Sequence, residues 1–191
     1  GKNHKIIMSG TALQLIDTNS SLGVLELKNY SDEGIFAVET IDAYQIITNG
    51  CVLNVTNEEG SLGGTLQDDC VVAADYVLGG GVLDLNGHTL TVKGDFYLAK
   101  GKLLINGGTL IVEGNLRVET RKTFLKEQDY YIYQVDNGNG SLIMTNENDR
   151  IIIGGDWVIN PGSTCKNEIE AGHIELSGDI QRYNYAGQKW V

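Results

Sequence analysis

The chain has 191 residues and carries 25 acidic against 14 basic side chains, which gives a formal net charge of −11. Such a chain has few of the Lys and Arg side chains that displace phosphate counterions, which argues against a nucleic-acid groove and against an anionic membrane surface. The 25 glycines, the single proline and the many Val, Ile, Leu, Thr and Tyr residues favour short strands and tight turns, and the longest apolar runs are too short to span a bilayer.

The first strand-like elements are two short runs in the first third of the chain. The segments "GVLELKN" (23–29) and "GCVLNVTN" (50–57) both alternate apolar and polar residues and end in turn-forming residues. Both have the shape of "GVLDLNG" (81–87), which opens the clearest element of the sequence. We interpret them as degenerate copies of one repeated unit.

The clearest element is a tandem repeat with a period of twenty residues. The stretch "GVLDLNGHTLTVKGDFYLAK" (81–100) is followed without a gap by "GKLLINGGTLIVEGNLRVET" (101–120). Each copy holds three short alternating runs, separated first by Asn-Gly and then by Gly-Asp or Gly-Asn. Runs of about three residues are short for a sandwich, but they suit a solenoid whose coils stack about 4.8 Å apart.

Stacking at this period predicts specific partners in neighbouring coils. Asn86 lies over Asn106 in a side-chain ladder, and the glycine after each of them supplies the positive φ that the corner needs. Lys93 lies over Glu113 and forms an ion pair between coils. The apolar residues that meet their counterparts inside the stack are Leu83, Leu90 and Phe96.

Two other architectures share parts of this pattern. The segment "LDLNGHTL" (83–90) is also typical of a hairpin with an Asn-Gly type I′ turn, in which Leu83 faces Leu90, but a hairpin does not explain the third run of each copy. A leucine-rich repeat has a compatible period but requires Asn three residues beyond its LxL leucine, whereas Asn86 directly follows Leu85. The solenoid accounts for more of the sequence than either alternative.

The repeat continues in the second half of the chain. The segment "GDWVI" (155–159) matches "GDFYL" (94–98), and "IELSGDI" (174–180) matches "LTVKGDF" (90–96). Before these copies, "ETRKTFLKEQDYYIYQVDNGNG" (119–140) breaks the rhythm with a charged cluster followed by an aromatic strand. We predict one solenoid domain over residues 1–191, with a segment near 119–140 that protrudes from the stack.

The segments "GGGVLDLNGHTLTVKGDF" (79–96) and "INGGTLIVEGNL" (105–116) resemble the right-handed parallel β-helix repeats of large secreted or surface-attached bacterial proteins. The resemblance implies an all-β fold, a single-stranded right-handed parallel β-helix (β-solenoid) with coils of about 20 residues. It also implies the role of a stalk, spacer or adhesive surface, usually without catalysis, and an extracellular or cell-surface location.

Two cysteines have a spacing close to the period of the repeat. Cys51 and Cys70 lie nineteen residues apart, nearly one coil. Stacked neighbours would have Cα atoms about 5 Å apart, which is within the range for a disulfide. Two small buried side chains in register explain the spacing equally well, so both interpretations stay open. Cys165 would then stay unpaired.

The 119–135 segment contains the best binding candidates. Basic residues gather here in an otherwise acidic chain, and an aromatic strand follows them; the candidate residues are Arg121, Lys122, Tyr130, Tyr131 and Tyr133. Aromatic faces can stack on sugar rings or anchor a protein interface. We predict a cell-surface glycan or a host protein as the partner, and the alternative is a solvated loop followed by an ordinary strand.

A few residues resemble the catalytic groups of β-helix polysaccharide hydrolases. His88 and His173 each follow a glycine, and "QDDC" (67–70) holds paired aspartates. The chain lacks the Gly-His-Gly and Arg-x-Lys motifs of that family, so no catalytic residue is predicted. The turns "DNGNG" (136–140) and "TNENDR" (145–150) do not fit the spacing of a calcium loop, so no metal or cofactor is predicted.

The sequence therefore predicts a non-catalytic structural or adhesin-like segment of an extracellular bacterial surface protein, monomeric and part of a larger chain. The first alternative is a carbohydrate-binding module, and the second is a small β-helix polysaccharide-degrading enzyme. We expect neither membrane insertion nor a nucleic-acid partner.

Overall fold

A computed structural model describes residues 2–18, 20–32, 34–37, 41–55, 62–119, 123–127, 130–134, 138–162 and 165–183. The described residues contain strands and turns and no helix. The strands form parallel sheets stacked as a right-handed β-solenoid of about seven turns, with coils of about 21 residues. The predicted fold class is confirmed.

Three parallel sheets form the walls of the solenoid, and the strands are numbered in chain order. Sheet A contains β1 (Lys5–Met8), β3 (Leu22–Leu27), β5 (Ile41–Ile47), β7 (Leu62–Leu66), β10 (Val82–Asp84), β13 (Lys102–Leu104), β18 (Ser141–Met144) and β21 (Glu168–Ile169). Sheet B contains β2 (Gln14–Ile16), β4 (Ile35–Ala37), β6 (Val52–Val55), β8 (Cys70–Val72), β11 (Thr89–Val92), β14 (Thr109–Val112), β19 (Arg150–Ile153) and β22 (His173–Leu176). Sheet C contains β9 (Tyr76–Leu78), β12 (Phe96–Leu98), β15 (Leu116–Val118), β20 (Trp157–Ile159) and β23 (Ile180–Arg182).

The register of the two clearest copies is the predicted one. Leu83 pairs with Leu103 in sheet A, and Leu90 pairs with Leu110 in sheet B. The hairpin alternative is wrong, because Leu83 and Leu90 belong to different sheets and each pairs with the residue one coil away. The predicted ion pair between Lys93 and Glu113 is also present.

The more distant copies are partly confirmed. Trp157 pairs with Leu116, which pairs with Phe96, as the match of 155–159 to 94–98 predicts. The copy at 50–57 is misassigned, because β6 lies in sheet B and not in sheet A. The copy at 23–29 is in the correct sheet but two residues out of register, since Val24 lies in the row of Asp84. Apolar-polar alternation looks the same in every sheet, so it could not tell these positions apart.

Each sheet places alternate side chains in one continuous core. The buried columns include Leu83, Leu103 and Leu142 in sheet A and Leu90, Leu110 and Ile151 in sheet B. Tyr76 and Phe96 are fully buried below sheet C with their ring centroids 5.1 Å apart. Burial of one such side chain stabilises the fold by about 1.5–3 kcal/mol.

The corner between sheets A and B is a left-handed turn at Asn-Gly. Asn86 and Gly87 have φ values of 48° and 82°, and Asn106 and Gly107 have values of 46° and 79°. The predicted asparagine ladder takes a different form. The Asn86 amide donates to the carbonyl of Leu66 (3.1 Å), and the Asn106 amide donates to Asp84 (3.0 Å), so each amide bonds to another residue type in an earlier coil.

The corner between sheets B and C carries a column of acidic and amide side chains that links successive coils. One side-chain oxygen in each coil accepts a hydrogen bond from the backbone N–H of the equivalent residue one coil later, at 2.8–2.9 Å. We call this set the Asx column; its members are Asp75, Asp95, Asn115, Asp156 and Asp179.

A glycine precedes four of the five members of the Asx column. A Cβ atom at Gly155 would lie 2.6 Å from Asn115 Oδ1, and Cβ atoms at Gly94, Gly114 and Gly178 would meet the corresponding oxygens in the same way. The Gly-Asp and Gly-Asn steps of the repeat therefore leave room for a carboxylate or amide that reaches up from the preceding coil.

The two described strands between β15 and β18 lie outside the three sheets. Strands β16 (Thr123–Glu127) and β17 (Tyr130–Gln134) form a separate two-stranded antiparallel sheet. Because of this insertion, Leu142 follows its partner Leu103 by 39 residues instead of 20.

Candidate functional site

The predicted binding residues of the 119–135 segment fall in or beside the inserted hairpin. Arg121 and Lys122 lie outside the described residues. The backbone positions of the tyrosines are described: Tyr130 pairs with Glu127, Tyr131 with Lys126 and Tyr133 with Phe124. Their role as ligand-binding residues stays a prediction.

The base of the hairpin is a charged clamp. Arg117 donates to Asp95 Oδ2 at 2.8 Å and to Glu119 Oε1 at 2.9 Å, and its guanidinium lies 5.8 Å from the ring centroid of Tyr97. Burial would lower the pKa of Arg117, but the two carboxylates outweigh it and raise that pKa. This cation of the basic cluster therefore holds two coils together.

The cysteines are all free thiols. Cys51 and Cys70 are 2% exposed each and belong to the core of neighbouring coils, where Val52 pairs with Val71. Burial raises the pKa of Cys70 to about 12 and also raises the pKa of Cys51. The structure thus holds the pair as small buried side chains in register, without a bond between them.

The residues that resemble hydrolase groups are arranged mainly as caps between coils. His88 Nδ1 lies 3.9 Å from Asp69 Oδ1, and that same oxygen accepts the backbone N–H of Thr89 at 2.8 Å. Asp68 accepts the backbone N–H of Thr48 at 2.7 Å. His173 lies in the same row as Thr89 but three coils later, so it does not meet His88.

A site that the sequence did not reveal lies on the outer face of sheet A, where β5 meets β7. Asp42 pairs with Gly63 and Gln45 pairs with Thr65, so Ala43 and Tyr44 together oppose Gly64 alone. This two-against-one arrangement is a β-bulge, a feature that redirects side chains and is common beside functional sites.

Glycine is required at the centre of this bulge. Gly64 has a φ of 139°, which L-residues rarely adopt, and a Cβ there would overlap the carbonyl oxygen of Ala43. The bulge keeps Ala43 buried and leaves Tyr44 48% exposed. The backbone therefore holds one aromatic ring out from a sheet whose other side is fully packed.

An open groove of about 370 Å³ surrounds the bulge. We call it the bulge groove; its lining residues are Lys2, Ser21, Leu22, Asp42, Ala43, Tyr44, Gly64, Thr65, Val82 and Asp84. Its volume is within the range of small-ligand sites, which is about 300–1,000 Å³. The lining residues come from five successive coils of sheet A, so the groove exists only when the coils are stacked.

The polar groups of the bulge groove have fixed positions. The Lys2 ammonium lies over the Tyr44 ring, with Nζ 4.4 Å from the ring centroid. The Ser21 hydroxyl donates to Asp42 Oδ2 at 2.7 Å. Asp84 Oδ1 accepts the backbone N–H of Asn86 at 2.9 Å. The groove thus combines an aromatic face, two oriented carboxylates and one cation.

A second charged cluster on sheet A is structural. Glu26 is nearly buried, and its carboxylate pairs with Lys28 at 2.9 Å and Lys5 at 3.1 Å. Hydrogen bonds from Lys28 and then Lys5 lower the pKa of Glu26 to about 2. The three residues join the first coils, because the Glu26 carboxylate is shared between Lys5 of one coil and Lys28 of the next.

One sequence signal of the bulge groove was available. The Gly63-Gly64 pair stands inside the strand-like run "SLGGTL" (61–66), and glycine within a strand often marks a bulge. The signal indicates a bulge but not its partner strand, so it could not have predicted that Tyr44 lines a groove.

Comparison with protein-family models, with curated proteins and with solved structures finds no match for this chain. Over the part of the chain that the structure describes, no helix has the length and apolar character needed to cross a bilayer. Among the same residues, no three His, Cys, Asp or Glu side chains converge to hold a metal ion.

Proposed function

We propose that the chain is a non-catalytic structural, adhesin-like segment of an extracellular bacterial surface protein. The observation that carries the proposal is the continuous register of the stack from β7 onward. Rows such as Leu83, Leu103 and Leu142 pass from coil to coil without a break, even across the inserted hairpin. A stack of this kind serves as a spacer that holds other modules away from a surface.

The chemistry of the corners suits a mechanical role. The Asx column and the Arg117 clamp add contacts between coils to the backbone hydrogen bonds of the sheets. A load along the stack is therefore shared among several bonds in each coil. At about 4.8 Å for each coil, seven turns span about 34 Å, so the segment adds a short, rigid length to a longer protein.

Single-molecule force spectroscopy tests the spacer role. The chain is placed between two copies of a reference domain of known unfolding force and is pulled from its ends. We expect it to lengthen in steps of about 70 Å, the extended length of a 20-residue coil, at forces comparable to those of the reference. Collapse in one step, well below the force of the reference, would refute the role of a load-bearing spacer.

Surface exposure and catalysis are tested separately. An antibody against the chain should label intact cells that produce the parent protein, and labelling only after permeabilisation would contradict the extracellular assignment. Incubation with uronic-acid polymers should release no product. Release that disappears in Asp69→Ala, next to His88, would replace the structural proposal with an enzymatic one.

Carbohydrate recognition by the inserted hairpin is the second candidate function. It is favoured by the position of Tyr130, Tyr131 and Tyr133 on a strand that pairs outside the main sheets. A glycan array with the wild type and with Tyr131→Ala tests it. A signal that falls in the variant supports glycan binding at the hairpin, and no signal with either protein removes this candidate.

A further inference from the structure

We propose that the bulge groove binds a primary ammonium group on an apolar stem, that is, a lysine side chain of a partner protein, and that Lys2 occupies this position when no partner is bound. The site is distinct from the hairpin candidate, and the spacer role does not depend on it.

The Tyr44 ring already accepts a cation in the structure. Lys2 Nζ lies 4.4 Å from the ring centroid, within the distance of about 6 Å over which an ammonium is attracted to an aromatic face. Tyr44 is 48% exposed even with Lys2 over its ring, so a partner can reach this side chain from solvent. Lys2 lies before β1 and belongs to no strand, so a competing lysine can displace it without breaking a sheet.

The carboxylates of the groove select for positive charge. Asp42 is held by the Ser21 hydroxyl, and Asp84 is held by the backbone N–H of Asn86. Both line the same groove as the Tyr44 ring. Two carboxylates exceed the charge of the single Lys2 ammonium, so the groove keeps a net negative charge that attracts a competing cation. The net charge of −11 also increases the rate at which cationic partners reach the surface.

Apolar side chains in the groove suit the methylene stem of a lysine. Leu22 and Val82 line the groove, and Val82 is 43% exposed, so its side chain is open to a partner. Lysine side chains bury their stems along apolar surfaces while the ammonium stays polar. The groove remains about 370 Å³ in volume with Lys2 in place, so a competing lysine side chain can enter the groove before Lys2 leaves the ring.

The test is an NMR titration of the complete chain with the peptide acetyl-Gly-Ser-Lys-Gly-Ser-amide. The matched control is the same peptide with Nε-acetyl-lysine, which keeps the stem and loses the charge. We expect the lysine peptide to shift the Tyr44 ring signals in a saturable way, and the acetylated peptide to leave them unchanged. Added salt should weaken the binding.

Three substitutions assign the binding to individual groups. Tyr44→Leu should lower the affinity for the lysine peptide about two- to fivefold, whereas Tyr44→Phe should retain this affinity because the aromatic face remains. Lys2→Met should raise the affinity, because it removes the internal competitor. These positions are exposed, and a thermal melt of each variant confirms that the fold is intact.

The proposal is overturned if the acetylated peptide binds as well as the lysine peptide, or if Tyr44→Leu leaves the affinity unchanged. It is also overturned if neutral oligosaccharides shift the Tyr44 signals and the lysine peptide does not, because the groove would then be a sugar site. A lower affinity in Lys2→Met would show that Lys2 belongs to the binding surface, and would refute its role as competitor.

Discussion

Asp95 belongs to the Asx column and accepts three hydrogen bonds, so its replacement by alanine should strongly destabilise the corner between sheets B and C. Asp95 Oδ1 accepts hydrogen bonds from the backbone N–H of Asn115 at 2.8 Å and from the Asn115 side-chain amide at 3.0 Å. Asp95 Oδ2 accepts a hydrogen bond from Arg117 Nε at 2.8 Å. Asp95→Ala removes all three bonds and leaves the guanidinium of Arg117 partly buried, with Glu119 as its remaining carboxylate partner.

The magnitude follows from the kind of bonds that are lost. A hydrogen bond to a charged group contributes about 1.5–3 kcal/mol, but bonds that share one acceptor do not add up. The Asp95 side chain is 21% exposed, so solvent reduces the ion-pair part. We expect Asp95→Ala to lower the free energy of unfolding by about 3 kcal/mol.

The chain itself supplies a matched control. Asn115 occupies the equivalent position one coil later, and its amide oxygen accepts the backbone N–H of Asp156 at 2.8 Å. Asp95→Asn should therefore keep the bond to the next coil and lose the ion pair and the hydrogen bond with Arg117, at a cost of about 1–2 kcal/mol. Asp179→Ala, at the exposed end of the column, should have little effect.

Two measurements check this prediction. Urea unfolding followed by circular dichroism gives the loss of stability, and amide hydrogen exchange at Asn115 reports the local bond, with exchange about 100-fold faster in Asp95→Ala. Burial would raise the pKa of Asp95, but the bonds from Asn115 and Arg117 lower it, so the difference between wild type and variant should shrink as the solution becomes acidic. Equal losses in Asp95→Ala and Asp95→Asn would refute the capping argument.

Three further predictions concern other parts of the fold. Gly64→Ala should lower the free energy of unfolding by about 2–4 kcal/mol, because of the positive φ at Gly64 and the nearby carbonyl of Ala43. Gly80 has open space around it, so Gly80→Ala should be nearly neutral in urea unfolding, and equal effects would contradict the bulge geometry. The pKa of Glu26 is lowered from 4.5 to about 2, so its contribution to stability is present above pH 4.5 and is lost as the pH falls towards 2. Glu26→Gln should flatten this part of the curve of stability against pH, and an unchanged curve would count against the ion pairs with Lys5 and Lys28. A thiol reagent should modify Cys165 before Cys70, since Cys165 is partly exposed and Cys70 is buried; the reverse order in mass spectrometry would be inconsistent with the core.

The period and the interior of the solenoid were predictable because each position of a coil repeats the demands of the coil below it. Leu83 and Leu103 must both face inward, and Asn86 and Asn106 must both adopt a left-handed turn, so the sequence repeats at twenty residues. The assignment of 50–57 to a sheet was not predictable, because alternation marks a strand without indicating which wall of the coil it forms.

The bulge groove could not be predicted from the sequence, for a different reason. Its lining residues lie between positions 2 and 84 and meet only after five coils have stacked. The exposure of Tyr44 depends on a mismatch of one residue between β5 and β7, and no local pattern in "IDAYQII" (41–47) signals that mismatch. Features that arise from the alignment of several coils, and not from one coil alone, become visible only in the folded structure.

Hydrogen bonds cross the corner between sheets B and C in both directions. Each side-chain oxygen of the Asx column accepts an N–H from the next coil, and the backbone carbonyl of the next column residue accepts an N–H in return, as Asn115 does from Phe96 at 2.8 Å. Removal of a coil from either end therefore leaves one backbone N–H of this corner without its acceptor. A coil added at either end supplies the acceptor that its neighbour lacks, so growth of the stack satisfies donors on both sides of each new contact.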